Sequence, residues 1–259
     1  MVNIGGYMKK LLIILFTLFS ITSAYSETKE TITLINNGKA GGSYNARTQM
    51  YKEGLEARGY NVKYENIGKI SQAVKVFKST TEPTIMVYSN NQVHKQGLFH
   101  NPENFIMLEY QQPLYICKTN AAKNKTTELT VAHGKGYDIS LLKNILGNNI
   151  TLVPYKNSGA MLKGILGGDV DAMVNNQGKS LKYMASGQGS CEVSKDLPIM
   201  LATVIGVNVD VQKLRDIIFD ISMDIKFIEY HNSKKLVRPS STWAKELAQI
   251  TKSERLWTK

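Results

Sequence analysis

The chain has 259 residues, 42% of them hydrophobic and 8% aromatic, with only 6 prolines, which is enough apolar material for a substantial core and unlike a disordered or fibrous polypeptide. Its 32 Lys and Arg against 21 Asp and Glu give a net charge of +11, and a mean hydropathy of -0.21 excludes a protein with several membrane spans. Two cysteines are too few for a disulfide scaffold, and the histidines at 94, 100, 133 and 231 show neither an H-E-x-x-H pattern nor finger spacing, so no metal site is read.

At the N-terminus, Lys9 and Lys10 precede an apolar run over 11–21 and then the small or polar residues Thr22, Ser23, Ala24, Tyr25 and Ser26. A basic pair, a short apolar run and a small-residue cleavage site predict a secretory signal peptide over 1–26, with cleavage after Ala24 or Ser26. The run is short for a membrane span, and no cysteine follows it that would take a lipid anchor. Met1 and Met8 are alternative starts. The processed chain is expected in the periplasm with a net charge of about +9. A basic surface suits nucleic acid or small anions. No basic run is interleaved with aromatics and no nucleic-acid-binding motif is present, so small organic anions are the expected partners and nucleic acid is not. In an oxidising compartment Cys117 and Cys191 are candidates for a disulfide, although their spacing does not settle whether they pair.

From residue 31 onward, β-branched runs alternate with amphipathic stretches. A strand over 31–35 leads through the turn Asn37-Gly38-Lys39-Ala40-Gly41-Gly42-Ser43 into a helix over 44–57. A strand over 60–65, a helix over 70–78 and a strand over 84–88 follow, ending in the polar turn Ser89-Asn90-Asn91. A second set begins near Pro113, with strands over 114–117 and 129–132, a glycine turn at His133-Gly134-Lys135-Gly136 and a helix over 139–146. Next come a strand over 150–154, the turn Lys156-Asn157-Ser158-Gly159, and a helix carrying Met161, Leu162, Ile165 and Leu166 that Gly167-Gly168 ends. A strand over 170–174 closes this set. The C-terminal part reads as a strand-like run from 197 to 207, one long helix over 211–230 and a helix over 243–250.

This order predicts two α/β lobes, 27–112 with 200–259 and an inserted 113–199, each a mixed sheet flanked by helices. A cleft between them and hinges near 111–115 and 197–202 complete the two-lobed type II periplasmic binding protein plan. Gly41-Gly42-Ser43-Tyr44-Asn45-Ala46-Arg47, Glu65-Asn66-Ile67-Gly68, and above all Val153-Pro154-Tyr155-Lys156-Asn157-Ser158-Gly159 leading to Leu166-Gly167-Gly168-Asp169-Val170-Asp171-Ala172-Met173, resemble the tripartite tricarboxylate transporter receptors, or Bug family. The first loop departs from that family's pattern, lacking its proline and placing Asn45 where an acidic residue is common, and the loop at Asn66-Ile67-Gly68 is shortened.

The resemblance implies capture of a small carboxylate, including di- or tricarboxylates or amino acids, by backbone amides at helix N-termini, and delivery to membrane transporter subunits by a monomeric receptor. The residues support that chemistry independently, because glycine and Ser/Asn turns opening helices let backbone N–H groups and the helix dipole face an anion. Ala40, Gly41, Gly42, Ser43 and Tyr44 form one candidate surface, Asn157, Ser158 and Gly159 a second. Ser89 and Asn90, and His133, Gly134, Lys135 and Gly136, follow strand ends where open α/β sheets bind ligands. Tyr155 is a candidate for packing beside the ligand's carbons, Asn175 and Asn176 for hydrogen bonding, and Lys39, Lys135 and Lys156 for charge, whereas Arg47, inside the first helix, is expected to pair structurally.

No G-x-S-x-G elbow is present, Gln177-Gly178-Lys179-Ser180 lacks the first glycine of a phosphate loop, and Gly187-Gln188-Gly189-Ser190-Cys191-Glu192 breaks off as a dinucleotide fingerprint. An enzyme and a cofactor are therefore not expected. The alternatives are a two-lobed receptor for ferric iron or another anion, using some of the 13 tyrosines, and a receptor whose partner is a sensor.

Overall fold

The computed structural model describes residues 29–38, 40–89, 97–125, 127–134, 137, 139–194, 196–197, 199–238 and 242–257, the last five by their backbone, and its compact body begins at Thr31. The leader expected over 1–26 lies outside the described residues, as do Lys39, Asn90, Lys135 and Gly136.

Two five-stranded sheets make up the body. The first contains β1 (Thr31–Asn36), β2 (Asn61–Asn66), β3 (Thr84–Ser89), β4 (Phe105–Gln112) and β10 (Met200–Val207), in the order β2-β1-β3-β10-β4. The second contains β5 (Leu114–Thr119), β6 (Leu129–Gly134), β7 (Ile150–Tyr155), β8 (Ala172–Asn176) and β9 (Gly189–Val193), in the order β7-β6-β8-β5-β9. In each sheet three parallel strands come first, and an antiparallel strand then separates them from an outer one. The chain passes from the first sheet to the second between Gln112 and Leu114 and returns between Val193 and Met200.

Strands β1 and β3 are buried along almost their whole length because helices cover both faces, and a parallel strand in that setting is an unbroken apolar run rather than an alternating one. On one face, Ile32, Leu34, Ile85 and Val87 meet Tyr51 and Leu55 of α1 (Ser43–Ala57) and Leu214, Ile218 and Ile221 of α6 (Val211–Met223). On the other, Ile35, Met86 and Tyr88 meet Ala73, Val74 and Phe77 of α2 (Ile70–Ser79). Each such side chain, fully buried, contributes about 1.5–3 kcal/mol relative to exposure. Helices α1 and α6 approach closely at Gly54, where a Cβ would stand 2.5 Å from Ile221 Cγ2. The C-terminal α8 (Trp243–Trp257) seats Ile250 on Phe105, Leu108 and Leu201.

In the second sheet, α3 (Ile139–Leu146) packs Leu142 against Val131 and Ile150, and α4 (Ser158–Gly167) packs Met161 and Ile165 against Ala132 and Met173. Gly168, at φ 78, ends α4 in the left-handed conformation that glycine adopts without strain. Pro154 is tolerated inside β7 because β7 is the edge strand.

Several sequence expectations change. The single helix expected over 211–230 is two, α6 and α7 (Ile225–Lys234), because Asp224 leaves the helical region at φ -60, ψ 143. Strands β4 and β9 and the helix α5 (Gln177–Ala185) are additional, and β8 runs two residues later than expected. His133 and Gly134 extend β6 in register with Pro154 and Tyr155 rather than forming a turn. Cys117 and Cys191 face each other across β5 and β9 with Cα atoms 4.0 Å apart and are joined in a disulfide.

Candidate functional site

In both sheets the chain order reverses around a central parallel strand, at β1/β3 and at β6/β8, and ligands of open α/β sheets sit outside the carboxyl ends of strands at such points. Beyond those ends lies a cavity of about 800 Å³ with walls from both sheets. On the first-sheet side it is lined by Ser43 and Tyr44 at the start of α1, Tyr110 and Gln112 of β4, Met200 of β10, and Tyr230, Ser233, Lys234, Lys235 and Leu236 at the end of α7. On the second-sheet side it is lined by Ser158 at the start of α4 and by Asn176, Gly178, Lys179, Leu181, Lys182 and Ala185 at and along α5. Among the described residues, three helix N-termini thus reach the cavity, four lysines line it, and no carboxylate does.

The second-sheet wall is built from asparagines. Asn157 and Asn176 are the N-caps of α4 and α5, accepting hydrogen bonds from Ala160 N at 2.9 Å and Lys179 N at 3.2 Å. Asn176 Nδ2 also donates to Ser158 Oγ at 3.1 Å, and the fully buried Asn175 donates from Nδ2 to Ser158 O at 3.1 Å. Ser158 is therefore held from two successive residues, which fixes the start of α4 relative to that of α5.

The first-sheet wall rests on a polar cluster behind it. Asn36 Nδ2 donates to Gly38 O at 3.1 Å, Asn45 Oδ1 at 2.9 Å and Asn66 Oδ1 at 3.0 Å, and Tyr64 donates to Asn45 Oδ1 at 3.1 Å. Position 38 must be glycine here, since a Cβ would come within 2.5 Å of Tyr44 Cβ. Asn45, which departs from the acidic residue common in the resembled family, is thereby committed to the loop's internal bonding. Gly42 caps α1 without a side-chain bond, and the first two residues of that helix, Ser43 and Tyr44, line the cavity.

Arg47 is fully buried and pairs with Glu109 of β4, as a structural role requires, while its Nε donates to Ser43 O at 3.2 Å. Its guanidinium carbon lies 4.7 Å from the Tyr44 ring centre and 4.9 Å from that of Tyr110, so it braces both rings from behind. Burial is the largest influence on Arg47 and opposes its charge, but Glu109 together with Tyr110, Tyr44 and Tyr230 outweighs it and holds the guanidinium protonated. Burial also pushes the phenols of Tyr44, Tyr110 and Tyr230 up, with Arg47 offsetting only part of the shift, so the three remain neutral hydroxyls. Among the described residues no group of three His, Cys, Asp or Glu side chains comes together as a metal cluster, and no helix is long and apolar enough to cross a membrane.

Of the residues singled out from sequence, Ser43, Tyr44 and Ser158 line the cavity, Gly42 and Asn157 cap helices that open onto it, and Gly159 lies one residue inside α4. Ala40 and Gly41 are exposed in the loop before α1, Ser89 and His133 are buried at strand ends, and Gly134 is half-buried at the end of β6. Tyr155 turns away from the cavity and packs under α4, where Gly164 leaves room for its hydroxyl. Asn175 acts on the cavity through its neighbours, donating to Ser158 O and accepting from Asn176 N at 2.9 Å. Asn176 lines the cavity as the N-cap of α5, while sequence reasoning missed Tyr110, Gln112, the α5 wall beyond Asn176 and the end of α7. The Asn176 cap following a strand was the legible signal for α5, whereas nothing local marks residues 230–236.

No protein-family profile matches the sequence, and no curated protein does. Among solved structures, the chain is similar to a TctC solute-binding protein from Polaromonas without ligand, at 12% identity over 90% of this chain and 98% of that one, TM-score 0.64. It is likewise similar to MatC of Rhodopseudomonas palustris with bound malate, at 13% identity over 89% and 98% of the two chains, TM-score 0.60. Rpa4515 of R. palustris with adipate gives 12% identity over 90% and 96%, TM-score 0.61. At such identities the likeness is one of fold, and the two sheets with their shared cleft give this chain the two-lobed fold of the periplasmic solute-binding proteins of the TctC type.

Proposed function

We propose that the chain is an exported solute-binding receptor that captures a small organic anion, a carboxylate, between its two lobes and hands it to a membrane transporter. The observation that carries this reading is the polarity of the cavity: among the described residues, three helix N-termini and four lysines line it without a single Asp or Glu. None of α1, α4 and α5 has an acidic residue at its N-cap or in its first turn, whereas Asp210 and Asp224 are the N-caps of α6 and α7 and α8 carries Glu246 in its first turn; α2, away from the cavity, shares the lack. A helix start normally gains about 0.3–1 kcal/mol from a nearby negative charge, and at the cleft that charge is left for the ligand to supply. The neutral tyrosines suit hydrogen bonding to an anion better than phenolate ligation of ferric iron.

Ligand contacts made by both lobes at once favour the closed form, with the hinges at the two passages between the sheets, near 111–115 and 197–202. The domain division 27–112 with 200–259 and 113–199, the signal peptide over 1–26 and a periplasmic address belong to the same reading. It is tested by a thermal-shift screen of refolded protein against mono-, di- and tricarboxylates, amino acids, phosphate and ferric ion; a ligand at 100 times its Kd adds about 2.7 kcal/mol of stability. Stabilisation by a carboxylate that is lost in Ser158→Trp, with the fold intact by circular dichroism, is the expected result. Stabilisation by ferric ion alone overturns the reading.

A further inference from the structure

Helix α7 ends in a Schellman turn: Lys235 N donates to Asn232 O at 3.1 Å, Leu236 N donates to His231 O at 3.0 Å, and Lys235 itself is left-handed at φ 52, ψ 41. The turn sends the chain back to β4, where Gln111 N donates to Val237 O at 2.9 Å. A residue with a Cβ adopts this conformation at a cost, and glycine adopts it freely. The other left-handed helix ends follow that rule, with Gly59, Gly147, Gly168 and Gly187 standing just beyond α1, α3, α4 and α5. Among the described residues one other non-glycine has a positive φ, Asn208; an amide side chain tolerates that region, and its Nδ2 donates to Thr80 O at 3.0 Å.

Lys235 has no such compensation. Its neighbour Lys234 lies 5.8 Å from the Tyr230 ring centre and Lys226 pairs with Glu53, but among the described residues Lys235 makes no ion pair, side-chain hydrogen bond or ring contact. The negative end of the helix does not call for it either. Helix α7 already carries His231 and Lys234 in its last turn, and α3 and α5, with Lys143 and Lys182 in theirs, still place glycine at the left-handed position. What sets position 235 apart is that its side chain lines the cavity. A local rule broken without local compensation marks a functional position.

We propose that Lys235 is a specificity-determining residue of the cleft, its ammonium bonding an acidic group of the ligand directly, at the expense of a more stable helix end. The contact rests on the receptor reading above and names the one cleft lysine that the backbone would exchange for glycine. Helix N-termini offer an anion partial charges from fixed N–H groups, whereas an ammonium adds a full charge and three donors that turn to meet the ligand. That contact favours an ionised acid over a neutral group of the same shape.

Two readouts separate a ligand contact from a role in folding. In urea titrations of the ligand-free protein, Lys235→Gly and Lys235→Asn, which suit the left-handed backbone, are expected to raise the unfolding midpoint. A midpoint unchanged or lowered in both overturns the proposal, because the lysine then serves the fold. Calorimetry with malate and adipate as probes reads the contact itself. Both variants are expected to bind about 10-fold more weakly, as loss of a hydrogen bond to a charged group predicts. Lys235→Arg, which keeps the charge, is expected to recover most of that loss, and Lys226→Gln, which removes the same charge outside the cavity, to bind as the wild type does. Unchanged affinity in the glycine and asparagine variants overturns the contact and leaves the receptor reading standing. Wild-type protein that binds neither probe overturns the contact as stated, and the carboxylate screen then decides the receptor reading separately.

Discussion

The two lobes share a strand order but not a way of being held together. The first sheet is covered by α1, α2, α6 and α8, and its strands β3 and β4 are buried at nearly every position. In the second sheet β7 and β9 are largely exposed or half-exposed, the helical cover is α3, α4 and α5, and β9 is tied to β5 by the Cys117–Cys191 disulfide. Where the C-terminal helices add apolar burial to the first lobe, the second uses a covalent bond at its edge. The edge strands β2 and β7 are alike in exposure, so the difference lies in what covers the far side of each sheet.

That contrast can be broken from either side. The largest effect is expected for Glu109→Ala, which strands the buried Arg47 charge and costs about 3–5 kcal/mol, as breaking one partner of a buried pair does. Trp243 packs on the first sheet, so in a Trp257→Phe background its fluorescence in a urea titration reports that lobe, and its midpoint should fall. Cys117→Ser/Cys191→Ser opens a loop with a sequence separation of 74 and, on the chain-entropy model, removes about 4 kcal/mol, carried by the second lobe. Circular dichroism should then show a transition preceding the Trp243 signal; coincident transitions would mean that the lobes unfold as one unit.

Gly164→Val places side-chain atoms on Tyr155 and should destabilise the second lobe by about 1–3 kcal/mol, with a milder Gly164→Ala. The smallest effect concerns pH. Burial works against the Asp171 charge, but bonds from Lys125 Nζ at 2.7 Å, Thr130 N at 2.8 Å and Thr130 Oγ at 2.8 Å hold its pKa below the usual 3.8. A depressed carboxyl pKa contributes stability above the unfolded value and loses it as pH falls through the folded one, so the second lobe should weaken below about pH 4. Asp171→Asn should flatten that dependence in acid-melting curves; an unchanged slope would remove Asp171 as its source.

The alternation of apolar runs made β1 to β3 and β6 to β8 legible, because parallel strands between helices carry an unmistakable pattern. Strand β4 was not legible. Its Glu109 looks wrong for a buried strand until Arg47, 62 positions away, is known to pair with it. Strand β9 is short, begins at a glycine and depends on a disulfide partner that spacing could not assign. In the site, glycine and asparagine turns announced the helix N-termini, since their conformations are local. The lysines from α7 reach the cavity only because the chain returns to the first sheet after completing the second, and no local signal encodes that return.

The return has a consequence for how the chain is made. Strand β10 lies between β3 and β4, yet residues 200–207 are synthesised after every strand of the second sheet. A growing chain therefore finishes its second sheet while the first still lacks an interior strand, with the fully buried edge of β3 waiting uncovered. Unpaired apolar edges are where nascent chains aggregate, so escorting factors that bind extended apolar segments should engage residues 84–89 until the last quarter of the polypeptide has emerged.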